Sequence, residues 1–369
     1  MEFKANTTEL LKSLSKVNGV VPSKTALPIL ENILFDLQDN SLHLSATDLE
    51  ISMTTTLTVT GRSSGKVAVP AKRLIDTLKS LPETTLTFTA NDANQITFTT
   101  DKGTYKLSGE NGSEYPSIPN LKSAFKFDIS AQQLGRMISH TLFAVSNDEL
   151  RPAMMGVLFQ LRSDELKTVA TDGHRLVAFS YKGFSSKEDK NFIVPAKALG
   201  ILTRTIGENN VPVSIDDKFI SFELSGTTLI SRLINENYPN YEAVIPIENN
   251  RKLKAATGEL KSAVKRVSLF SNSTTHQIRF SMSENPLKVS AEDYDQGRSA
   301  AEDITSTFEG ESIDIGFNAN YIQDILEHID TDEVFLELSA PTRASIVLPS
   351  EQKEKENLLM LVMPVRLNN

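Results

Sequence analysis

The chain has no cysteine and no tryptophan, and only five histidines among its 369 residues. Without cysteine there is no disulfide framework, no thiolate zinc site and no cysteine nucleophile, and the composition fits a reducing compartment. The histidines are scattered without a His-x-x-x-His spacing, so no metal site is expected. No apolar run approaches the ~20 residues needed to span a bilayer, and Met1-Glu-Phe-Lys-Ala-Asn6 lacks the apolar core of a signal peptide. Gly61-Arg-Ser-Ser-Gly65 lacks the lysine spacing of a phosphate-binding loop. These absences predict a soluble, acidic, cytoplasmic protein of net charge −9, with no cofactor and no membrane partner.

What is present is repetition. Val67-Ala-Val-Pro-Ala71 returns as Phe192-Ile-Val-Pro-Ala196 and as Ile315-Gly-Phe-Asn-Ala319; the closing alanines lie 196−71 = 125 and 319−196 = 123 residues apart. Ala46-Thr-Asp48 returns as Ala170-Thr-Asp172 and Ala291-Glu-Asp293, and Tyr115-Pro116 as Tyr238-Pro239. A period of about 123 is too long for a solenoid and fits a whole small domain. The expected organisation is three tandem copies, residues 1–126, 127–250 and 251–369.

Each copy reads as helix–strands–helix–strands, an α+β module with two helices on mainly antiparallel sheet. Each opens with an amphipathic helix: Leu10, Leu14 and Val17 mark one face in copy one, with Asn6 and Glu9 spaced as a capping box. Ser130 and Gln133 repeat that start, and Thr257 is the expected cap in copy three. The second helix of each copy starts at Pro70, Pro195 or Asn318, where a first-turn proline loses no hydrogen bond. Its stripe in copy one is Leu74, Leu78 and Leu81. Period-two alternation marks strands such as Ile51–Val59, and the joints near Ala124–Phe127 and Asn249–Lys252 read as polar turns.

Twelve-residue windows from Thr7, Pro70, Ser130, Pro195, Thr257 and Asn318 carry +1, +2, +1, +2, +2 and −2, a sum of +6, so the remaining segments carry −9−6 = −15. Lys12, Lys16, Lys72, Arg73, Lys79, Arg136, Lys197, Arg204, Lys261, Lys265 and Arg266 supply the positive side. Exposed helix faces favour Lys and Arg in any case. The functional reading is a polyanion facing the helices through phosphate contacts without base readout. Asp324 and Glu327 in the last helix break the trend.

No catalytic constellation emerges. Asp172-Gly-His174 invites an acid–base reading, but Asp48, Asp172 and Asp293 hold one repeated position, which points to side-chain capping of a turn. Copy two alone follows this aspartate with Gly173-His-Arg-Leu176. A change confined to one copy points to a task the shared fold does not need. The chain closes on an apolar run, Leu358–Leu367, whose Met363-Pro-Val-Arg segment suits an adaptable peptide groove.

Three copies of about 120 residues, Leu27-Pro-Ile-Leu30, Ala170-Thr-Asp-Gly-His-Arg-Leu176, Tyr238-Pro-Asn-Tyr241 and Met363-Pro-Val-Arg-Leu367 together resemble the bacterial DNA polymerase III beta subunit family, the sliding clamps. The resemblance runs from end to end. It implies a head-to-tail homodimer closed into a ring, with the helices facing duplex DNA and no polymerase or 3'-5' exonuclease chemistry of its own. It implies a groove for short linear motifs of the replicative polymerase alpha subunit, the clamp-loader delta subunit, other polymerases and repair proteins. By position that groove comprises Thr171, Gly173, His174, Arg175, Leu176, Pro239, Val244, Ser345, Val362, Met363, Pro364, Val365 and Arg366; Ala243 stands where some members carry a basic residue. Lys24, Arg73, Arg151 and Lys197 fall at DNA-contact positions. Tyr105 and Leu107 would meet Leu269 and Phe270 of a partner copy. Two alternatives stay open on the residues alone: a tandem peptide-binding scaffold that never encloses DNA, and a hydrolase-like site at His174.

Overall fold

The computed structural model describes every residue except 123, 284, 368 and 369, so the last two residues of the expected third domain lie outside the described residues. Copy one runs β1 (Glu2–Asn6), α1 (Thr7–Val17), β2 (Asn32–Gln38), β3 (Ser41–Thr47), β4 (Ile51–Thr58), β5 (Thr60–Ser63), β6 (Gly65–Pro70), α2 (Ala71–Lys79), β7 (Thr85–Ala90), β8 (Gln95–Thr99), β9 (Thr104–Ser108) and the short β10 (Glu110–Asn111). Copy two runs β11 (Phe125–Ser130), α3 (Ala131–Thr141), β12 (Gly156–Leu161), β13 (Leu166–Thr171), β14 (Arg175–Tyr181), β15 (Lys190–Pro195), α4 (Ala196–Thr205), β16 (Asn210–Ile215), β17 (Phe219–Leu224) and β18 (Thr227–Arg232). Copy three runs β19 (Arg251–Ala256), α5 (Thr257–Ser268), β20 (Gln277–Met282), β21 (Leu287–Asp293), β22 (Arg298–Ile304), β23 (Ser306–Glu309), β24 (Ile313–Asn318), α6 (Ala319–Glu327), β25 (Glu333–Leu338), β26 (Ser345–Pro349) and β27 (Glu356–Val362).

The helices begin where the sequence places them, but each copy opens with a strand rather than a helix. Strand β19 explains the difference: Leu253 and Ala255 are buried while Lys252 and Lys254 face outward, so half of a short segment looks polar. Asn6 caps α1 by accepting from the N–H groups of Thr8 (2.8 Å) and Glu9 (3.2 Å), and Ser130 accepts from Gln133 N–H (3.2 Å). Thr257 does not cap α5. Ala256 holds that position, and the Thr257 hydroxyl donates to the Thr331 carbonyl (2.8 Å), lashing the helix to the loop before β25. Leu81 falls beyond the end of α2, whose buried residues are Ala71, Leu74, Ile75 and Leu78.

Every strand pairing is antiparallel, and the chain forms two compact units that do not coincide with the repeats. The first unit, residues 1–134 and 197–233, holds a five-stranded sheet β5-β1-β7-β8-β9 and a nine-stranded sheet β10-β6-β2-β3-β4-β18-β17-β16-β11. The second, residues 135–196 and 234–369, holds a nine-stranded sheet β15-β12-β13-β14-β27-β26-β25-β19-β23 and a four-stranded sheet β22-β21-β20-β24. Each nine-stranded sheet is therefore shared by two copies. It is joined at β4–β18 in one case, where Met53 faces Leu229, and at β14–β27 in the other, where Val177 faces Met360. All four of those side chains are fully buried. Behind the sheets the cores are aromatic and aliphatic. In copy one, the rings of Phe3 and Phe88 stack at 4.9 Å and those of Phe35 and Phe88 at 5.3 Å, all fully buried.

The repeated tyrosine ties each inter-copy linker down. The Tyr115 hydroxyl donates to the Asn32 carbonyl (3.1 Å) and accepts from Thr47 N–H (3.3 Å), and burial pushes its pKa up to about 12. The Tyr238 hydroxyl donates to the Val169 carbonyl (3.4 Å).

Candidate functional site

The repeated aspartate holds a turn. Asp172 Oδ1 accepts from the N–H groups of His174 (2.8 Å) and Arg175 (2.9 Å), as Asp48 Oδ1 does from Glu50 (3.0 Å) and Ile51 (2.6 Å). The hydroxyl of Thr171 donates to the Arg175 carbonyl (2.6 Å) and accepts from Gly173 N–H (3.0 Å). This turn needs a left-handed residue at its centre: Gly173 has φ +88°, and its counterpart Leu49 has φ +78°. Gly173 is thus explained by the turn and is not itself a mark of the copy's special task. The structural role predicted for Asp48 and Asp172 holds. Asp293 instead accepts from the Arg298 guanidinium (2.8 Å), which holds its carboxyl below the usual range.

Arg175 ties the turn to its surroundings. Its Nε donates to Asp172 Oδ2 (3.1 Å), its Nη2 to the Phe143 carbonyl (2.8 Å) and its Nη1 to Asp324 of α6. The guanidinium carbon lies 4.9 Å from the centre of the Tyr321 ring and 5.3 Å from that of Phe143. His174 stacks on Tyr321, with ring centres 5.8 Å apart. Met363 N–H donates to the His174 carbonyl (2.8 Å), and Val365 N–H donates to the Gly316 carbonyl (2.8 Å). Within the second unit the Thr171–Leu176 turn, the tail after β27 and α6 are therefore fastened together.

Beside this turn lies an apolar floor of Leu158, Val169, Leu176, Tyr241, Ala344 and Leu361, against which Tyr238, Ile245 and Met363 pack half-buried. Burial raises the pKa of the Tyr238 and Tyr241 hydroxyls, so both stay protonated. Next to Tyr238, Tyr241 and Ile245 stand the exposed Pro239, Val244 and Ile247; Ile247 is 98% exposed. Of the expected groove residues, Gly173, His174, Pro239, Val244 and Arg366 are exposed. Arg175, Met363, Pro364 and Val365 are half-buried. Thr171, Leu176, Ser345 and Val362 are buried, so they support the surface from beneath rather than form it. Ser345 and Val362 face each other across β26–β27. Sequence reading missed Phe143, Gly316 and Tyr321, and noted Asp324 only as an acidic exception on its helix. Only Gly316 left a signal, a glycine inside a strand: a Cβ there would lie 2.6 Å from the Val365 carbonyl oxygen.

The helix bases divide into two groups. Arg136 donates to both carboxylate oxygens of Glu356 (2.8 and 3.0 Å) and to Asp330, and only 20% of its side chain is exposed; its role is structural. Lys197 pairs with Asp48, Lys261 with Glu327 (3.4 Å), Arg266 with Glu302 (2.6 Å), and Arg151 with Asp148 (3.4 Å). Asp324 and Glu327, the acidic exceptions, are thus engaged by Arg175 and Lys261. Lys12, Lys16, Lys24, Lys72, Arg73, Lys79, Arg204 and Lys265 make no ion pair among the described residues, and Arg204 Nε donates to the Gly200 carbonyl (2.9 Å). Lys24, Lys72, Arg73 and Lys79 are exposed.

Two sheet edges stand out. Strand β9 ends the five-stranded sheet and β22 ends the four-stranded one. Their counterparts in the other copies, β18 and β27 for β9 and β4 and β14 for β22, are paired with a strand of the neighbouring copy. Tyr105 and Leu107 lie half-buried on β9; Leu269 (71% exposed) and Phe270 (40%) follow α5, which packs on β22.

Among the described residues no cluster of His, Asp or Glu could hold a metal ion, and no helix is long and apolar enough to cross a membrane. Repeated domains, shared sheets, open edges and an apolar surface without catalytic groups fit a binding protein built by repetition. Residues 1–119, 128–240 and 242–366 match the N-terminal, central and C-terminal domains of the DNA polymerase III beta subunit, and the chain belongs to that family. It is 30% identical over 370 residues to the beta sliding clamp of Escherichia coli and 28% identical over 370 residues to that of Vibrio cholerae, each match covering 100% of both chains. It superposes on the DNA polymerase III subunit beta of Pseudomonas aeruginosa bound to griselimycin with a TM-score of 0.93, at 28% identity and 100% coverage of both chains. The protein is a DNA sliding clamp, a non-catalytic processivity subunit of the replicative polymerase. The hydrolase reading of His174 is thereby set aside.

Proposed function

We propose that two copies of this chain close head to tail into a ring that encircles duplex DNA and slides on it. The observation that carries the reading is the pair of open edges, β9 and β22, whose counterparts are joined strand to strand between copies. Such a heterologous contact closes on itself when the rotation returns to its start. In this reading Tyr105 and Leu107 of one protomer meet Leu269 and Phe270 of the other. Domain limits of 1–126, 127–250 and 251–369 go with it.

Lys24, Arg73, Arg151 and Lys197 contact DNA phosphates in this arrangement. Lys24 and Arg73 do so as free cations; Arg151 and Lys197 first give up carboxylate partners. Sparse phosphate contacts without base readout suit a ring held by topology rather than affinity. The surface around Gly173, His174, Arg175, Pro239, Val244 and Met363–Arg366 binds short linear motifs of the polymerase alpha subunit, the clamp-loader delta subunit and repair proteins. Its floor, Leu176 and Tyr241 among others, supports this, as do relatives from Pseudomonas aeruginosa and Bartonella birtlesii solved with griselimycin bound. Ala243 supplies no charge at its rim.

Retention on DNA tests the ring. The loaded protein should stay on nicked circles and leave linear ends; equal loss from both would refute encirclement. Leu269→Ala with Phe270→Ala should yield monomers, and a persistent dimer in sedimentation would sink the interface assignment. Deleting Met363–Asn369 should abolish polymerase stimulation and leave the dimer intact. Unchanged stimulation would remove the groove assignment.

A further inference from the structure

The repeats predict more than which edges meet, because equivalent residues can be counted through the strand pairings. Phe3–Phe88–Phe98–Tyr105 is one chain of cross-strand partners in copy one. Its equivalents are Phe127–Val213–Phe222–Leu229 and Leu253–Leu336–Val347–Met360. On the other side of each join, the repeated alanine fixes the count: Ala46 faces Met53, Ala170 faces Val177 and Ala291 faces Ala300. At the two internal joins Leu229 faces Met53 and Met360 faces Val177. The same register sets Tyr105 opposite Ala300 of a second copy, with Leu107 opposite its Arg298.

That register brings a particular pair of charges together. The residue that follows the repeated turn at the strand start is Ile51, Arg175 or Arg298. Counting from Ala71, Ala196 and Ala319, the helix position that Asp324 holds in α6 is Ile201 in α4 and Asp76 in α2. Arg175 reaches Asp324 at the β14–β27 join, while the β4–β18 join has isoleucine at both places. We infer that Arg298 of one protomer pairs with Asp76 of a second copy, forming an electrostatic latch at the open edge; this rests on the ring reading above. Arg298 already has the inner half of the triad, donating to Asp293 as Arg175 does to Asp172. Asp76 is exposed, makes no ion pair among the described residues, and lines the same hollow as Tyr105, Ile75 and Thr77.

The latch is weaker than its internal counterpart. Tyr321, which lies under the Arg175 guanidinium, is replaced at the equivalent place by Arg73, so the aromatic support is gone and a competing cation sits one turn from Asp76. Leu269 takes the place of Phe143, so the ring that lies beside the Arg175 guanidinium is also gone. An internal join has no need to open, whereas a ring must open to admit DNA.

A double-mutant cycle on the dimer dissociation constant tests the latch, with sedimentation across a dilution series in low and high salt. Asp76→Asn and Arg298→Gln should each weaken the dimer at low salt by about 10-fold per join, hence about 100-fold for a ring with two joins. In the Arg298→Gln background, Asp76→Asn should then cost nothing further, and high salt should shrink the single-variant effects. Full additivity of the two substitutions, or effects unchanged by salt, would overturn the latch while leaving the ring intact. A native chain that stays monomeric throughout would instead overturn the ring reading itself. Melting curves by far-UV circular dichroism confirm that each variant is folded.

Discussion

Replacing Arg175 by methionine tests the claim that one side chain fastens the turn, the tail and α6. The long apolar stem is kept, so the packing lost is small and the change isolates the guanidinium. The half-buried Phe143 carbonyl loses its donor, which costs about 1–2 kcal/mol. Asp172 loses its pair but keeps two backbone donors, and at 13% exposure its carboxylate is under-solvated by the loss. Asp324 is 42% exposed and returns to water, so its share is at most about 1 kcal/mol. Together these give a loss of about 2–4 kcal/mol in the opening free energy of the β14–β27 join, read as amide exchange at Leu176 to Ala178 and Leu359 to Leu361. Arg175→Lys should recover less than half, since the three donors of an ammonium radiate from one atom and cannot reach acceptors that the guanidinium serves from three separate nitrogens. Adding Asp324→Asn to Arg175→Met should cost nothing more. A loss below about 0.5 kcal/mol for Arg175→Met would refute the fastening role.

Leu49→Gly should stabilise the first unit by about 0.5–1 kcal/mol in urea denaturation, because removing a Cβ at φ +78° relieves more strain than the added chain entropy costs; a destabilised variant would contradict the strain. Gly316→Ala forces its Cβ to 2.6 Å from the Val365 carbonyl oxygen, so the tail should shift and motif-peptide affinity fall at least 10-fold by calorimetry, with the dimer unchanged. His140 donates from Nδ1 to the Arg136 carbonyl (2.9 Å) and packs among Arg136, Phe179, His328 and Asp330; burial, seconded by the Arg136 charge, holds its pKa below 6.5. The folded state thus binds fewer protons than the unfolded one, so this stability is complete above about pH 6.5 and declines as pH falls below it, by up to about 1.4 kcal/mol per pH unit. His140→Asn should flatten that slope between pH 6.5 and 5 in pH-resolved melts. An unchanged slope would exclude His140 as its source.

Much of this protein was legible in its residues, for a definite reason. Helix periodicity, caps such as Asn6 and Ser130, and the Ala-Thr-Asp turns are short-range features, each written within about ten residues. A period near 123 then multiplied every local reading by three, and the comparison of copies separated the shared turns from the Gly173-His-Arg-Leu176 run that copy two alone carries. That comparison also misled once, since Gly173 answers to the same backbone demand that Leu49 meets under strain. The short opening strands β11 and β19 escaped because alternate residues of a half-exposed strand look like a polar joint.

Only the tertiary structure decided which edges meet. Alternation along a strand records which face is buried and nothing about the partner across the hydrogen bonds, so the β4–β18 and β14–β27 joins were invisible. So was the division into two units that cut across the repeats. The same holds for charge: Lys and Arg on helices could be counted, but whether each faces a carboxylate or water depends on residues brought close from far along the chain. Arg136 and Glu356 are 220 positions apart. Sequence alone determined the repeated unit and its turns; folding decided which bases stay free, which residues floor the apolar surface, and that β9 and β22 end their sheets while their counterparts are joined between copies.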